Sequence, residues 1–211
     1  MCNMEIHSSN HEDSYTWGSL VGDSWPAYVR ILHPAGRLEA DGTITPVRWS
    51  DIASTGTDLA CASWQIVSGI PLHAGRSGPT WDYEPEIGSD SPVVRKTLLR
   101  LLLTATTGRV WAAQWDGWGD RTTPAETSEL VAGRRYHVVA VTPELAFKLT
   151  NDDDPPLKPD LLWDEATTFR ALSDIDLPST IVGCTSKLAT HLMDIPDLET
   201  VPLKPTAHIV M

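Results

Sequence analysis

The stretch that decides the fold is TFRALSDIDLPSTIVGCTSKLATHLMDIPDL, residues 168–198. In its first part, residues 168–176, one alternate set of positions holds Phe169 and Ile175, and the other set ends in Asp174 and Asp176. An alternation of period two is the pattern of a half-buried β-strand. The sequence therefore predicts an extended segment that points the carboxylates of Asp174 and Asp176 in the same direction.

The second part of this stretch predicts a short strand followed by a helix. Pro178 interrupts the first strand because proline has no N–H to donate, and three β-branched residues follow at 180–182. Thr185 or Ser186 can cap a helix whose apolar stripe ends before Pro196. We therefore expect a strand, a turn, a strand and a capped amphipathic helix in this order.

The rest of the chain combines short strand-like segments with one clear helix. Pro92 at the first helical position and the apolar face that follows it predict a helix over 92–106. Residues 68–90 contain four glycines and three prolines, which predicts a long irregular connection. Residues 60–67 fit a strand or a short buried helix, and residues 121–133 indicate a polar loop. The predicted strands are 27–32, 43–49, 109–115, 136–142 and a candidate edge strand at 198–203.

These patterns predict an α+β fold in which a mainly antiparallel sheet carries two principal helices packed on one face. Residues 1–24 are polar and predict a flexible N-terminal arm. Residues 25–211 show no internal repeat and no linker, so they predict a single α+β domain.

The composition excludes several classes of protein. The 211-residue chain has a formal net charge of −12, whereas phosphate binding needs clustered Lys and Arg, so we expect no nucleic-acid partner. No stretch approaches the roughly 18 apolar residues of a membrane span, and the N-terminus lacks the regions of a signal peptide. The three cysteines are widely spaced and imply no disulfide framework. We therefore expect a cytoplasmic protein that does not bind membranes.

The aspartate pair is the strongest candidate for chemistry. Divalent cations bind carboxylate oxygens on a rigid element, and Glu165 or the run at 152–154 could complete a site around Asp174 and Asp176. Two neighbouring acids could also serve acid–base catalysis. This interpretation describes a metal-assisted hydrolase or transferase with catalytic Asp174, Asp176 and Glu165 and a divalent metal on the two aspartates. The simpler interpretation is a strand end at which one aspartate forms an Asx turn, and it predicts no cofactor.

The aromatic residues favour a binding function. The chain has nine tryptophans but only two phenylalanines. Trp81 and Tyr83 lie in the long connection, and Trp118 lies in a glycine-containing turn between Asp116 and Asp120. Exposed aromatic side chains are favoured binding anchors because they bury a large area at low entropy cost. The sequence therefore favours a non-catalytic binding protein, of the immunity or regulator type, that uses these residues and its acidic surface against a basic protein partner.

Three segments carry a family resemblance: WPAYVRILHPA (25–35), RVWAAQWDGWG (109–119) and LLWDEATTFRALSDIDLPSTIVGCTSKLATHLMDIPDLE (161–199). Their order and spacing resemble an uncharacterised family of cytosolic proteins from high-GC Gram-positive bacteria. This family has a Trp-Trp-Pro stretch and a Gly-Gly turn where this chain has Leu162-Trp163-Asp164 and Gly183-Cys184. The resemblance implies a shared fold and supplies no reaction.

Overall fold

The computed structural model describes residues 16–88, 91–118, 127–131, 134–152, 155 and 157–207. The strands are β1 (Ala27–Leu32), β2 (Ala35–Leu38), β3 (Ile44–Val47), β4 (Val110–Trp115), β5 (Thr127–Val131), β6 (Arg134–Ala140), β7 (Leu161–Asp164), β8 (Phe169–Ser173), β9 (Ser179–Cys184) and β10 (Glu199–Pro202). The helices are α1 (Trp17–Val21), α2 (Trp49–Ile52), α3 (Trp64–Ser68), α4 (Pro92–Ala105), α5 (Pro143–Asn151) and α6 (Ser186–Met193), and a 3-10 turn spans Asp116–Trp118.

Eight strands form one antiparallel sheet in the order β10-β1-β9-β8-β7-β4-β6-β5. β1 lies between β9 and β10, so the first strand of the sheet pairs with the two strands that flank α6. β2 and β3 form a separate two-stranded hairpin. The prediction of an α+β fold with a mainly antiparallel sheet is confirmed.

Both faces of the sheet are covered. Helices α4, α5 and α6 contribute buried apolar side chains to a cluster on the first face. Helix α1 contributes to a second cluster on the opposite face. Val182 belongs to the first cluster and Ile181 to the second, so β9 is buried on both sides. This double burial explains why the strand reads as a continuous apolar run.

The helix α1 lies within the range that the sequence predicts as a flexible arm. Thr16 caps it by accepting the Ser19 backbone N–H at 3.3 Å, and Trp17 and Leu20 are buried against the sheet. The prediction of an arm that reaches residue 24 is therefore wrong for this helix, whereas residues 1–15 lie outside the described residues.

Residues 35–88 form a third unit, which we call the tryptophan lobe. Its buried cluster contains Trp49, Trp64 and Trp81. The Trp49 and Trp64 rings meet edge to face with centroids 5.4 Å apart, and the Trp64 and Trp81 rings do so at 5.0 Å. Three large rings thus give a core to a segment that has little regular structure.

Local predictions differ from the structure at several points. The predicted strand at 43–49 ends at Val47, and Trp49 begins α2. The ambiguous segment at 60–67 contains α3, whose cap is Ser63. Part of the predicted polar loop at 121–133 is β5. Of the two predicted caps of α6, Thr185 is the one that accepts a backbone N–H.

The cysteines differ in state. Cys61 is half-buried in the tryptophan lobe and is disulfide-bonded, so the expectation of no disulfide is wrong at this position. Cys184 is a free thiol, and burial raises its pKa to about 12. A thiol that is protonated at neutral pH is a poor nucleophile, so Cys184 is a core residue.

Within the part of the chain that the structure describes, no helix has both the length and the apolar character needed to cross a membrane.

Candidate functional site

Asp174 and Asp176 lie in the turn after β8 rather than on the predicted strand. The strand ends at Ser173, and Asp174 Oδ1 accepts the Asp176 backbone N–H at 2.9 Å, which closes an Asx turn. Arg134, at the start of β6, donates from Nη1 to both oxygens of Asp174 at 2.8 Å and from Nη2 to Asp176. The two carboxylates therefore converge on a guanidinium of their own chain.

This ion-pair cluster is a structural feature. Although burial lowers it, the pKa of Arg134 is raised above its ordinary value by the charge of Asp174 and by hydrogen bonds to both aspartates. The Arg134 guanidinium also lies 6.0 Å from the centroid of the Trp115 ring. The cluster thus joins β6 to the turn after β8 across two intervening strands.

Within the described part of the chain, the structure brings no third ligand to Asp174 and Asp176 for a metal ion. Glu165 lies in the turn at the other end of β8, which is about 15 Å away for a strand of this length. Asp152 follows α5, and the next two aspartates lie outside the described residues. Among the described residues, no group of three or more His, Cys, Asp or Glu side chains is placed to hold a metal ion. The assignment of Glu165 to a shared site with the aspartates is wrong.

The predicted aromatic anchors separate into different environments. Trp81 is only 1% exposed in the core of the tryptophan lobe, so the expectation that it is an exposed anchor is wrong. Tyr83, two residues later, is 46% exposed. Asp116 pairs with His137, with Oδ1 and Nε2 2.9 Å apart. The side chain of Trp118 and residue Asp120 lie outside the described part of the chain.

Tyr83 belongs to an apolar surface on the outer face of the β2–β3 hairpin. Leu38 and Ile44 are cross-strand partners and are 48% and 59% exposed. Gly36 is paired with Tyr83 on one side and with the exposed Pro46 on the other. A Cβ at Gly36 would lie 2.8 Å from Ile44 Cγ2 and 3.3 Å from Tyr83 Cβ, so these two side chains meet above the glycine. We call Leu38, Ile44, Pro46 and Tyr83 the hairpin patch.

Carboxylates flank the hairpin patch along the chain: Glu39, Asp41, Asp82 and Glu84. Asp82 Oδ2 accepts a backbone N–H of the hairpin at 2.8 Å. Side-chain and backbone hydrogen bonds from Thr43 lower the pKa of Asp41. Arg37 is the basic residue of the hairpin strands. Asp41 and Asp82 are exposed and Glu39 is half-buried, so these three make the edge of the patch acidic, whereas Glu84 binds the His73 N–H and has Oε1 buried.

A buried chain of hydrogen bonds lies on the first face of the sheet. His33 Nδ1 is 2.7 Å from the Glu86 carbonyl oxygen, and Nε2 is 2.9 Å from Thr180 Oγ1. Because a carbonyl only accepts, Nδ1 carries the proton, Thr180 donates to Nε2, and Ser173 donates to Thr180 over 2.7 Å. Burial lowers the pKa of His33 to about 4, and the charge of Arg30 acts in the same direction.

The surroundings of this chain do not suit catalysis. The cavity beside His33, Ser173 and Thr180 has a volume of about 20 Å³. That volume admits one water molecule and no substrate. The hydrogen-bond chain therefore serves to connect β8 and β9 to the loop after β1.

Sequence reasoning identified Tyr83 but missed the other three residues of the hairpin patch, although a signal for the hairpin exists. Asp41-Gly42 is a hairpin turn signal, and Gly42 has a positive φ of 85°. Leu38 and Ile44 lie at equal distances from Asp41, so a hairpin would make them partners. Their exposure has no such signal, because the segments that cover the other face are distant in sequence.

Comparisons of this chain with protein-family models, curated proteins and solved structures find no match. The resemblance to a family from high-GC Gram-positive bacteria therefore stays a prediction. A function is inferred from the geometry of the chain alone.

Proposed function

We propose that this protein is a non-catalytic binding protein that engages a basic protein partner through the hairpin patch. The observation that carries this proposal is that the hairpin has apolar side chains on its solvent face as well as on its buried face. Ala35 and Val47 of the hairpin pack on the lobe core, while Leu38 and Ile44 face solvent. A hairpin with one buried face ordinarily presents polar side chains on the other face. A contiguous exposed apolar surface with a polar rim is typical of an interaction site.

The hairpin patch is held in place before any partner binds. Gly36 and Tyr83 exchange backbone hydrogen bonds of 2.9 Å in both directions. The Asp82 side chain accepts the Leu38 N–H, which adds a second link between β2 and the segment that carries Tyr83. A preorganised surface loses less conformational entropy on binding. Tyr83 supplies a large aromatic surface of the kind that dominates binding energy.

The charge around the hairpin patch favours a basic partner. The rim carboxylates and the net charge of −12 would attract a surface that carries Lys and Arg around an apolar centre. Pro46 on the edge strand β3 removes an N–H, which disfavours recognition by addition of a strand. Side-chain contact is thus the expected mode. A cytoplasmic immunity or regulatory protein would use a surface of this kind.

The proposal is tested by photo-cross-linking in cells that produce the protein. A photoreactive phenylalanine analogue replaces Tyr83 in one variant and Phe147 in a matched control, because Phe147 is 65% exposed on α5. We expect a basic protein to cross-link from position 83 and not from position 147. The adduct should disappear when Leu38→Asp and Ile44→Asp are added, because these changes place charge at the apolar centre.

Salt dependence provides the second readout of this experiment. Raising the salt from about 0.05 M to about 0.5 M screens exposed charges and should weaken the complex. If both positions give the same adducts, or if the adduct at position 83 survives the two aspartates, the hairpin patch is not the interface.

A further inference from the structure

A cavity of about 330 Å³ lies between the tryptophan lobe and the turn that precedes β9. Small-ligand sites typically have volumes of about 300–1,000 Å³. Its wall includes the polar side chains of Arg30, Ser63, Gln65, His73 and Asp176. The cavity shares no residue with the hairpin patch, so a ligand in it would bind independently of the proposed protein partner.

Arg30 is a buried cation without a carboxylate partner among the described residues. Its side chain is 2% exposed; Nε donates to Ser179 Oγ at 3.2 Å, and Nη1 donates to the carbonyl oxygens of Leu59 and Ala62 at 3.0 and 2.9 Å. The described residues provide no hydrogen-bond acceptor for Nη2. Burial lowers the pKa of Arg30 to about 10, which leaves the group charged at neutral pH. A buried charge ordinarily has a counterion, so a missing anion is a physical signal.

Part of this charge is compensated within the protein. The Arg30 guanidinium lies 5.1 Å from the centroid of the Trp17 ring and 5.3 Å from that of Trp49. In such contacts the ring quadrupole attracts the cation. They stabilise the cation but do not occupy its free N–H groups.

Trp64 lines the same cavity. The side chain is 2% exposed, and its Nε1 atom is buried with no hydrogen-bond partner. Because water does not reach this atom, it is not a donor on the surface of the cavity. The Nη2 group of Arg30 is the donor that remains for a carboxylate.

The remaining wall defines the charge and shape of the ligand. Asp176 also lines the cavity, and it shares the single positive charge of Arg134 with Asp174, so this ion-pair cluster keeps a net negative charge. One unmatched cation with an acidic residue nearby suits a monoanion better than a phosphate dianion. Leu72, Leu177 and Pro178 supply an apolar wall for the body of the ligand.

The backbone at the cavity is strained at one residue. His73 has a φ of 64°, which lies in the left-handed region that residues other than glycine rarely adopt. Its N–H donates to Glu84 Oε2 at 2.6 Å, which holds this conformation. Strain of this kind is concentrated at ligand sites.

We propose that this cavity binds a small organic carboxylate, with the carboxylate on Arg30, next to Trp64, and an apolar body against Leu72, Leu177 and Pro178. The free energy of binding comes from a charge-assisted hydrogen bond in a partly dry site and from burial of the apolar body.

The test uses the full chain and follows the indole N–H resonance of Trp64 by NMR, assigned with the variant Trp64→Phe. The probes are benzoate, its neutral analogue benzamide, and inorganic phosphate. Benzoate should shift the resonance in a saturable manner, and the other two probes should not. Gln65→Glu places a negative charge at the exposed rim of the cavity. It should raise the dissociation constant of benzoate by about tenfold or more.

The matched control is Asn151→Asp, which adds the same charge at the end of α5 on the other face of the sheet. It should leave the dissociation constant of benzoate unchanged. Arg30→Met should abolish binding, but its hydrogen bonds also hold the lobe, so Gln65→Glu decides the question if that variant does not fold. Equal shifts with benzamide, tighter binding of phosphate, no effect of Gln65→Glu, or no shift with any probe would each overturn the proposal.

Discussion

His33 shows how one side chain links stability to pH. Its neutral form is fixed by the Glu86 carbonyl on one nitrogen and the Thr180 hydroxyl on the other. A protonated imidazole would have to donate from Nε2 and would meet the positive charge of Arg30 in a dry environment. The native state therefore resists protonation of this residue.

We predict that His33 makes the protein less stable below pH 6.5. The pKa is about 4 in the folded state and 6.5 in its ordinary environment, so between these values the unfolded chain binds one more proton than the native chain. The stabilisation is complete above pH 6.5 and is lost as the pH falls towards 4, with a total of about 3 kcal/mol.

The measurement is urea unfolding of the wild type and of His33→Gln at several pH values between 7 and 4. Glutamine can retain a donor and an acceptor but does not titrate. The free energy of unfolding of the wild type should fall more steeply with falling pH than that of the variant. Parallel curves would show that His33 does not contribute to the loss of stability in acid.

The tryptophan lobe shows how an element with little regular structure obtains a core. α2 and α3 have four and five residues, which is too short for independent stability. The edge-to-face contacts of Trp64 with Trp49 and Trp81 replace the long amphipathic helix that such a unit lacks. The buried core of the lobe supports the hairpin and the segment that carries Tyr83.

We predict opposite outcomes for two aromatic residues of this element. Trp81→Ala should lower the free energy of unfolding by about 3–5 kcal/mol because it leaves a cavity in the lobe core. Tyr83→Ala should cost less than about 1 kcal/mol because the side chain is half exposed. Chemical denaturation of both variants measures the difference. A large loss for Tyr83→Ala would make this residue a packing element rather than a binding anchor.

At the scale of the whole molecule, polar side chains dock the lobe onto the sheet. Arg30 of β1 reaches the carbonyls of the segment before α3, and Trp49 Nε1 donates to the His33 carbonyl at 2.7 Å. Glu199 of β10 accepts the N–H groups of Trp49 and Ser50 at 2.6 and 2.8 Å. A carboxylate from a strand thus caps a helix whose own N-cap makes no side-chain hydrogen bond.

We predict that Glu199→Ala loosens the lobe without loosening the sheet. Two backbone donors lose a charged acceptor, at a cost of about 1–3 kcal/mol. Native-state hydrogen exchange should become faster at Trp49 and Ser50 and along the lobe, while the β8 and β9 amides stay protected. Glu165→Ala, at an exposed turn, is the matched control and should change neither region. Uniformly faster exchange would show that lobe and sheet open as one unit.

Tyr83 and Trp81 show how far the candidate site could be predicted from the sequence. The sequence predicts that Tyr83 is exposed because it lies in the long irregular connection at 68–90, and the side chain is 46% exposed. Trp81, two residues away, has the same local surroundings in sequence but fills the core of the lobe. Local composition cannot separate the two, because burial depends on partners that are distant in the chain, such as Trp49.

The sequence by itself determined the elements whose signals are local. The strand that starts near residue 168, the proline break, a helix cap at Thr185 or Ser186 and the helix after it follow from alternation and capping within a few residues, whereas the end of the strand at Ser173 and the choice of Thr185 come from the structure. The antiparallel α+β class follows from the succession of such elements. Only the tertiary structure decided that Arg134 joins the two aspartates, that Arg30 lies buried without a carboxylate among the described residues, and that Leu38 and Ile44 face water. Each of these depends on contacts between residues far apart in the chain, where the free energy of burial and of charge pairing is set by packing and not by neighbours in sequence.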